Sequence, residues 1–281
     1  MRRRLLLRSA LALPALNTGA WAQGSTWPTR PITIIVPFAP GGGSDLVAQA
    51  IAPGMQTALG QRVNIEHRPG RSGATGAILA RLRAASAERR AATIGLLQAL
   101  IAAQRDGEAA VQARVAEAFA ALGVAVETVA YDPAAVPLVG EFAAPRATPA
   151  ETRTCVVARL KGRGGGRSLI FFAHPDSEPL AGLDAWTRDP FAGTIEDGRL
   201  YGWGVADDLA GVAAMVGAVD LIRAAGLEPD GDVILVSTPS KRHARGVSAL
   251  LHGGLTADAA VYLHPAESGA GLAEVKAFAS G

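Results

Sequence analysis

The sequence predicts an α/β fold: a mostly parallel sheet with flanking helices. Three observations carry that reading. Short apolar, β-branched-rich runs recur at Ile32–Val36, Val124–Val129, Cys155–Leu160, Leu169–Phe172, Val233–Ser237 and Ala259–Leu263. Stretches with apolar residues at helical spacing alternate with them. Glycine-rich punctuation separates the two, and this alternation is the pattern of parallel-sheet architectures. Strands buried on both faces read as near-continuous apolar runs, as these do.

The elements follow in order. The chain of 281 residues is long enough for one large core or two modest ones. It begins MRRRLLLRSALALPALNTGAWAQG. A basic start, an apolar stretch and Ala20-Trp21-Ala22 before Gln23 form the layout of an export signal over residues 1–22. Nothing later in the chain is long and apolar enough to span a bilayer. The formal charge of +2 is misleading, because Arg2, Arg3, Arg4 and Arg8 lie in that leader. Setting them aside leaves 23 basic against 25 acidic residues, which excludes the clustered basic surface of a nucleic-acid partner. Cys155 is the sole cysteine, so no intramolecular disulfide and no cysteine-based zinc site can form. Its neighbours mark it as a core strand position.

Ile32–Val36 leads into Pro37-Phe38-Ala39-Pro40-Gly41-Gly42-Gly43-Ser44-Asp45, followed by Leu46, Val47, Ala50 and Ile51 at helical spacing. This is one βα unit, with Ser44 as the expected N-cap. Its glycines free backbone N–H groups at a helix start, which suits a carboxylate or phosphate; a tight turn without a ligand accounts for them equally well. The P-loop Lys-Ser/Thr pair is missing.

The run WPTRPITIIVPFAPGGGSDLVAQAIAP, with LGQRVNIEHRPGRSGATGA after it, resembles the start of the periplasmic receptors of tripartite tricarboxylate transporters. The likeness covers residues 26–80. It implies a two-lobed receptor of which this is a fragment, with Gly41, Gly42, Gly43 and Ser44 as ligand-binding positions. Backbone groups of Ser72 to Gly76 would join them in holding a di- or tricarboxylate.

Arg81 to Arg90, RLRAASAERR, changes the composition, and the expected organisation is a leader over 1–22, a receptor-like fragment over 23–82 and a second domain over 83–281. Two helices are expected from Ala91, broken at Arg105-Asp106-Gly107. Gly162–Gly166 reads as a turn between strands, Leu209–Ala225 as a helix closed by Gly226, and Ala244–His252 as a further helix.

In parallel sheets the reactive groups collect beyond the C-terminal ends of strands. His174 and Asp176 follow Leu169–Phe172, Asp207 and Asp208 open the helix at Leu209, and His264 and Glu267 follow Ala259–Leu263. Imidazole and carboxylate at three such ends could converge on one ion, with Asp176 orienting the His174 ring. Taken singly, each has a plainer use: a polar loop residue, or a helix N-cap for Asp207 or Asp208.

The run GGGRSLIFFAHPDSEP, with DAWTRDPFAGTIEDGRLYGWGVADDLAGVAAM and GDVILVS after it, resembles the zinc metallopeptidases that include acetylornithine deacetylases, succinyl-diaminopimelate desuccinylases, carboxypeptidases and aminoacylases. The likeness covers residues 90–281. It implies a zinc-exopeptidase-like catalytic domain that hydrolyses amide bonds of N-acyl amino acids or peptides. One or two zinc ions would serve, with cobalt as a substitute in vitro. By that resemblance His174 is a metal ligand, Asp176 its catalytic supporting carboxylate, and Asp207 the aspartate bridging two metals. Glu267 is favoured over His264 as a further ligand. The sequence departs from the family in two places. Thr238-Pro239-Ser240-Lys241-Arg242-His243 carries no acid where the family has adjacent glutamates, one of them the general base. Leu209 and Ala210 stand where it has Lys and Gly.

The chain also stops at Gly281, where the family's lid domain and final histidine would begin. The expectation is therefore an impaired amide hydrolase on a truncated chain. The alternatives are a periplasmic carboxylate receptor or a non-functional fusion of two gene fragments. Location follows the reading: exported if the leader is genuine, cytoplasmic for the hydrolase portion if the fusion is an artefact.

Overall fold

The computed structural model describes residues 28–137, 151–177, 180–239 and 245–263. The chain divides into two compact units, Met1–Ala77 and Ile78–Gly281. Helix α2 (Ala74–Ala103) runs without a break through that division and through 82/83, where the composition changes. Apolar residues at helical spacing predict this helix only from Ala91. RLRAASAERRAA is built almost wholly from strong helix formers, and it lacked the apolar stripe on which a periodicity argument depends.

In the first unit β1 (Ile32–Val36) pairs in parallel with β2 (Val63–His67), and α1 (Gly43–Leu59) connects them. Strand β2 escaped the sequence reading because Asn64, Glu66 and His67 interrupt its apolar run. The expected N-cap is also corrected. Gly42 occupies that position with no side-chain cap. The Asp45 carboxylate instead accepts from Gly41 N–H at 2.7 Å and from Gln49 Nε2 at 2.9 Å, and it meets His67 Nε2 at 2.8 Å. The glycine loop therefore already faces a carboxylate from its own chain.

These contacts, Gly41 N–H first, then His67 and Gln49, hold the Asp45 carboxyl below the 3.8 of a free aspartate. The unfolded chain then takes up its proton at a higher pH than the folded one. The stabilisation is complete above about pH 4 and is lost as the pH falls through the depressed folded value. Asp45→Asn is expected to lower the melting temperature at neutral pH, with the difference from wild type closing in acid. An equal difference at every pH would mean that the carboxylate's charge contributes nothing.

The second unit is built on a five-stranded sheet. Its strands are β3 (Ala125–Tyr131), β4 (Arg153–Leu160), β5 (Leu169–Ala173), β8 (Val233–Ser237) and β9 (Ala259–Tyr262), in the order β3-β4-β8-β5-β9. A small hairpin, β6 (Thr194–Glu196) with β7 (Arg199–Tyr201), stands apart from it. The α/β class is as expected, and four of the five strands run the same way, with β4 alone reversed. β8, β5 and β9 run parallel, whereas β4 is antiparallel to both β3 and β8. Both kinds of strand, when covered on two faces, read as unbroken apolar runs, so direction was not legible.

Side-chain alternation divides the core. Val156 and Ala158 on β4 and Leu235 on β8 face a layer of α2, α3 (Glu108–Ala121) and α4 (Ala210–Ala224). Cys155, Val157, Ile234 and Val236 face the other side, with Leu250 of α5 (Arg245–His252). This is the period of two expected for a strand between helical layers. The thiol of Cys155 is buried, and burial pushes its pKa up to about 11, consistent with a packing role.

The glycine run after β4 also serves packing. A Cβ on Gly162 would lie 2.4 Å from the Gly231 carbonyl carbon, and Gly164 and Gly166 N–H donate to Asp230 O. Two backbones cross here at a distance that only glycine allows.

Candidate metal centre

β5, β8 and β9 end side by side, with His174 just past the end of β5 and Tyr262 at the end of β9. His174 follows β5 directly and is almost wholly buried. Its backbone N–H donates to Asp208 Oδ2 at 3.2 Å. Asp207 and Asp208 lie in a π-type turn, Val205–Leu209, which opens α4, and a cis peptide joins them. Neither caps the helix, since the N-cap position of α4 is Leu209 with no side-chain cap. The N-cap alternative is thereby set aside. Asp208 is fully buried, whereas Asp207 is 45% exposed and reaches back over the end of β5.

The two ring nitrogens of His174 face different acceptors. Nδ1 lies 2.9 Å from the main-chain carbonyl of Asp176, and Nε2 lies 2.9 Å from Asp207 Oδ1. A carbonyl oxygen can only accept, so Nδ1 carries the hydrogen in the neutral ring and Nε2 presents its lone pair. That lone pair meets a carboxylate oxygen. Two acceptors at this distance need a cation between them, either a proton on the ring or a metal ion. An imidazole lone pair and a carboxylate are donors that zinc favours, so the residues present fit a divalent ion. Among the described residues no cluster of three His, Cys, Asp or Glu side chains forms a complete metal cage.

The orienting contact differs from the sequence reading. Asp176 holds the ring through its backbone carbonyl, while its Oδ1 stays 3.6 Å from Nδ1. Its Oδ2 lies 3.5 Å from Arg153 Nη2. Tyr262, at the end of β9, stacks on Phe172 with ring centroids 4.8 Å apart, and its ring centre lies 6.3 Å from that of His174. Burial raises its phenol pKa, and the carboxylates of Asp208, Asp207 and Asp176 add to the effect.

Gly211, in the first turn of α4, is where the site meets the helix. A Cβ there would lie 2.0 Å from Leu263 O and 2.4 Å from Asp208 Oδ1. Gly211→Ala is expected to cost about 1–3 kcal/mol through overpacking and to displace Asp208. Urea denaturation measures the cost, and a variant as stable as wild type would show that the contact relaxes freely.

Of the expected site residues, the structure brings together His174, Asp176 and Asp207. Glu267 and His264 lie outside the described residues, as do Lys241, Arg242 and His243. Gly41, Gly42, Gly43 and Ser44 belong to the other compact unit. Sequence reasoning missed Arg153, Glu108 and Tyr262. The available signal was an arginine at the very start of a largely apolar strand, as Arg153 opens β4.

Residues 170–278 match the model of peptidase family M20/M25/M40. His174, Asp176 and Asp207 all fall inside that segment. Succinyl-diaminopimelate desuccinylase of Cereibacter sphaeroides is 43% identical over 97 residues, which is 34% of this chain and 25% of that protein. A UPF0065 protein of Bordetella pertussis is 47% identical over 64 residues, 23% of this chain and 20% of that protein. The chain thus spans about a quarter or less of the curated relatives it matches. Among solved structures, human carnosine dipeptidase 1 aligns with a TM-score of 0.51 at 19% identity, over 66% of this chain and 40% of that one. That likeness concerns the fold, an α/β core with a central sheet. No helix among the described residues is long and apolar enough to cross a membrane.

Proposed function

We propose that the second unit descends from metal-dependent hydrolases of amide bonds in N-acyl amino acids or peptides, and that it retains metal binding with weakened turnover. The observation that carries this reading is the meeting of the His174 Nε2 lone pair and the Asp207 carboxylate at 2.9 Å, within the segment that matches the family. Similarity to a desuccinylase points to N-acyl amino acids as the substrate class.

His174 and Asp207 would hold a zinc ion, with Glu267 as a further ligand from the sequence beyond β9. A bound zinc ion supplies Lewis acidity toward an amide carbonyl and lowers the pKa of water. The protein's own part begins with the Asp176 carbonyl, which keeps the Nδ1 proton in place so that Nε2 stays available. Asp208 fixes the backbone of His174 through its N–H. What the chain lacks is an acid between Thr238 and His243 that could take a proton from the attacking water. Cations stand there instead, at Lys241 and Arg242.

The test measures zinc retained after dialysis together with hydrolysis of an N-succinyl amino acid. About one equivalent of zinc with little hydrolysis is the expected result. A chain that retains no zinc, or one that turns over as fast as an ordinary enzyme at about 10 per second, overturns the reading.

A further inference from the structure

Arg153 and Glu108 are not among the candidate metal ligands, yet they sit against the site. Arg153 opens β4, opposite Tyr131 of β3 in the register. Its Nε donates to Glu108 Oε1 at 3.0 Å and its Nη2 to Oε2, a two-pronged pair with the first turn of α3. The same Nη2 lies 3.5 Å from Asp176 Oδ2. Exposure is 13% for Arg153, 25% for Glu108 and 12% for Asp176.

One guanidinium therefore serves two carboxylates in a mostly buried cluster. A buried Arg–Glu pair is electrically complete by itself, so the contact with Asp176 calls for a reason. Asp176 has two oxygens and one backbone carbonyl with which to address the His174 ring. The carbonyl does so at 2.9 Å, while the carboxylate Oδ1 stays at 3.6 Å. A carboxylate is the stronger acceptor for an imidazole N–H, so its yielding to a neutral carbonyl requires a competing attraction. Arg153 lies on the side of Oδ2 and provides one.

We propose that Arg153 is a positioning residue: it draws the Asp176 carboxylate away from the imidazole, so that the backbone carbonyl sets the rotation of the ring and the hydrogen on Nδ1. Glu108 holds the guanidinium in the plane this requires. The consequence for metal binding rests on the metal-site reading, but the control of the ring does not. Partners behind a ligand's own hydrogen bond tune its affinity by about 10–100-fold, and here that partner is itself set by an arginine two strands away in the sheet.

The test reads the His174 ring directly by nitrogen-15 and proton NMR, on the full chain stripped of metal with a chelator, at mildly alkaline pH. His174→Gln assigns the signals. Wild type is expected to show the hydrogen on Nδ1, at a proton shift typical of a carbonyl acceptor. Arg153→Met should move that proton downfield as the carboxylate takes over. Arg153→Lys, which keeps the positive charge, should hold it near the wild-type position.

Arg153→Met leaves Glu108 and Asp176 without their shared cation, a change that can unfold a chain. The double variant Glu108→Gln/Arg153→Met removes charge from both sides of the pair and carries the same test. An Nδ1 that carries no proton in wild type, or an Nδ1 proton that stays put in the methionine variants, overturns the proposal. Zinc titration of wild type is a separate arm. If no zinc binds while the ring responds as described, the metal-site reading fails and the positioning role of Arg153 stands.

Discussion

Replacing His174 with alanine is expected to lower zinc affinity by about 100-fold or more, and Asp207→Asn to do the same within a factor of a few. Disturbing a partner behind a ligand already costs about 10–100-fold, and these are the two groups that face each other at 2.9 Å. Asp207→Asn is the cleaner variant. Asp207 is 45% exposed, so the loss of charge leaves the fold largely as it was. His174 is buried and its removal opens a cavity, so its melt must be compared with that of wild type before the metal data are read. Equilibrium dialysis against zinc, or the visible spectrum of the cobalt-loaded chain, measures both. Wild-type affinity in Asp207→Asn would show that this carboxylate is no ligand, and would remove the observation on which the functional reading depends.

The second large effect is on stability. Phe119, in α3, has no solvent exposure and packs in the cluster that includes Val115, Val156, Met215 and Leu235. Phe119→Ala is expected to lower unfolding free energy by about 3–5 kcal/mol, the transfer term plus the cavity term for a buried aromatic ring. Leu183 is the control. It is 57% exposed, and Leu183→Ala should fall within about 0.5 kcal/mol of wild type. Urea denaturation followed by circular dichroism gives both values. A loss of under about 1 kcal/mol at Phe119 would mean that α3 is not docked on the sheet as described.

Most strands could be read from the sequence, and particular residues explain the successes and the misses. Val233–Ser237 is apolar and mostly β-branched until its serine, and the structure places β8 on those same residues. β2 was missed because three of its five residues are polar, being only partly covered. The first half of α2 was missed for a related reason. Its residues favour a helix but show no apolar face, and periodicity detects faces. The hairpin of β6 and β7 is three residues on each side, too short for alternation to show.

The candidate site divides in the same way. His174 and Asp176 were legible because chain order places them just past a strand end, and Asp207 because it opens a helix; both kinds of limit are visible where an apolar run or an apolar periodicity begins or stops. Their roles were less so. Nothing in HPD says that the backbone carbonyl, rather than the carboxylate, takes the ring hydrogen. Arg153 lies 23 residues before Asp176 in sequence and Glu108 earlier still, and neither stands in a motif.

By itself, then, the sequence determined the α/β class, the position of most strands and which polar groups stand at their ends, because apolar runs and their limits are local properties of a chain. Tertiary structure decided the direction of β4 and the pairing order of the sheet. It also decided the turn that swings Asp207 onto the His174 ring and the sharing of one arginine between two acids. Those depend on which strands lie side by side once the core is buried, and hydrogen bonds a few ångströms long are set by that packing rather than by distance along the chain.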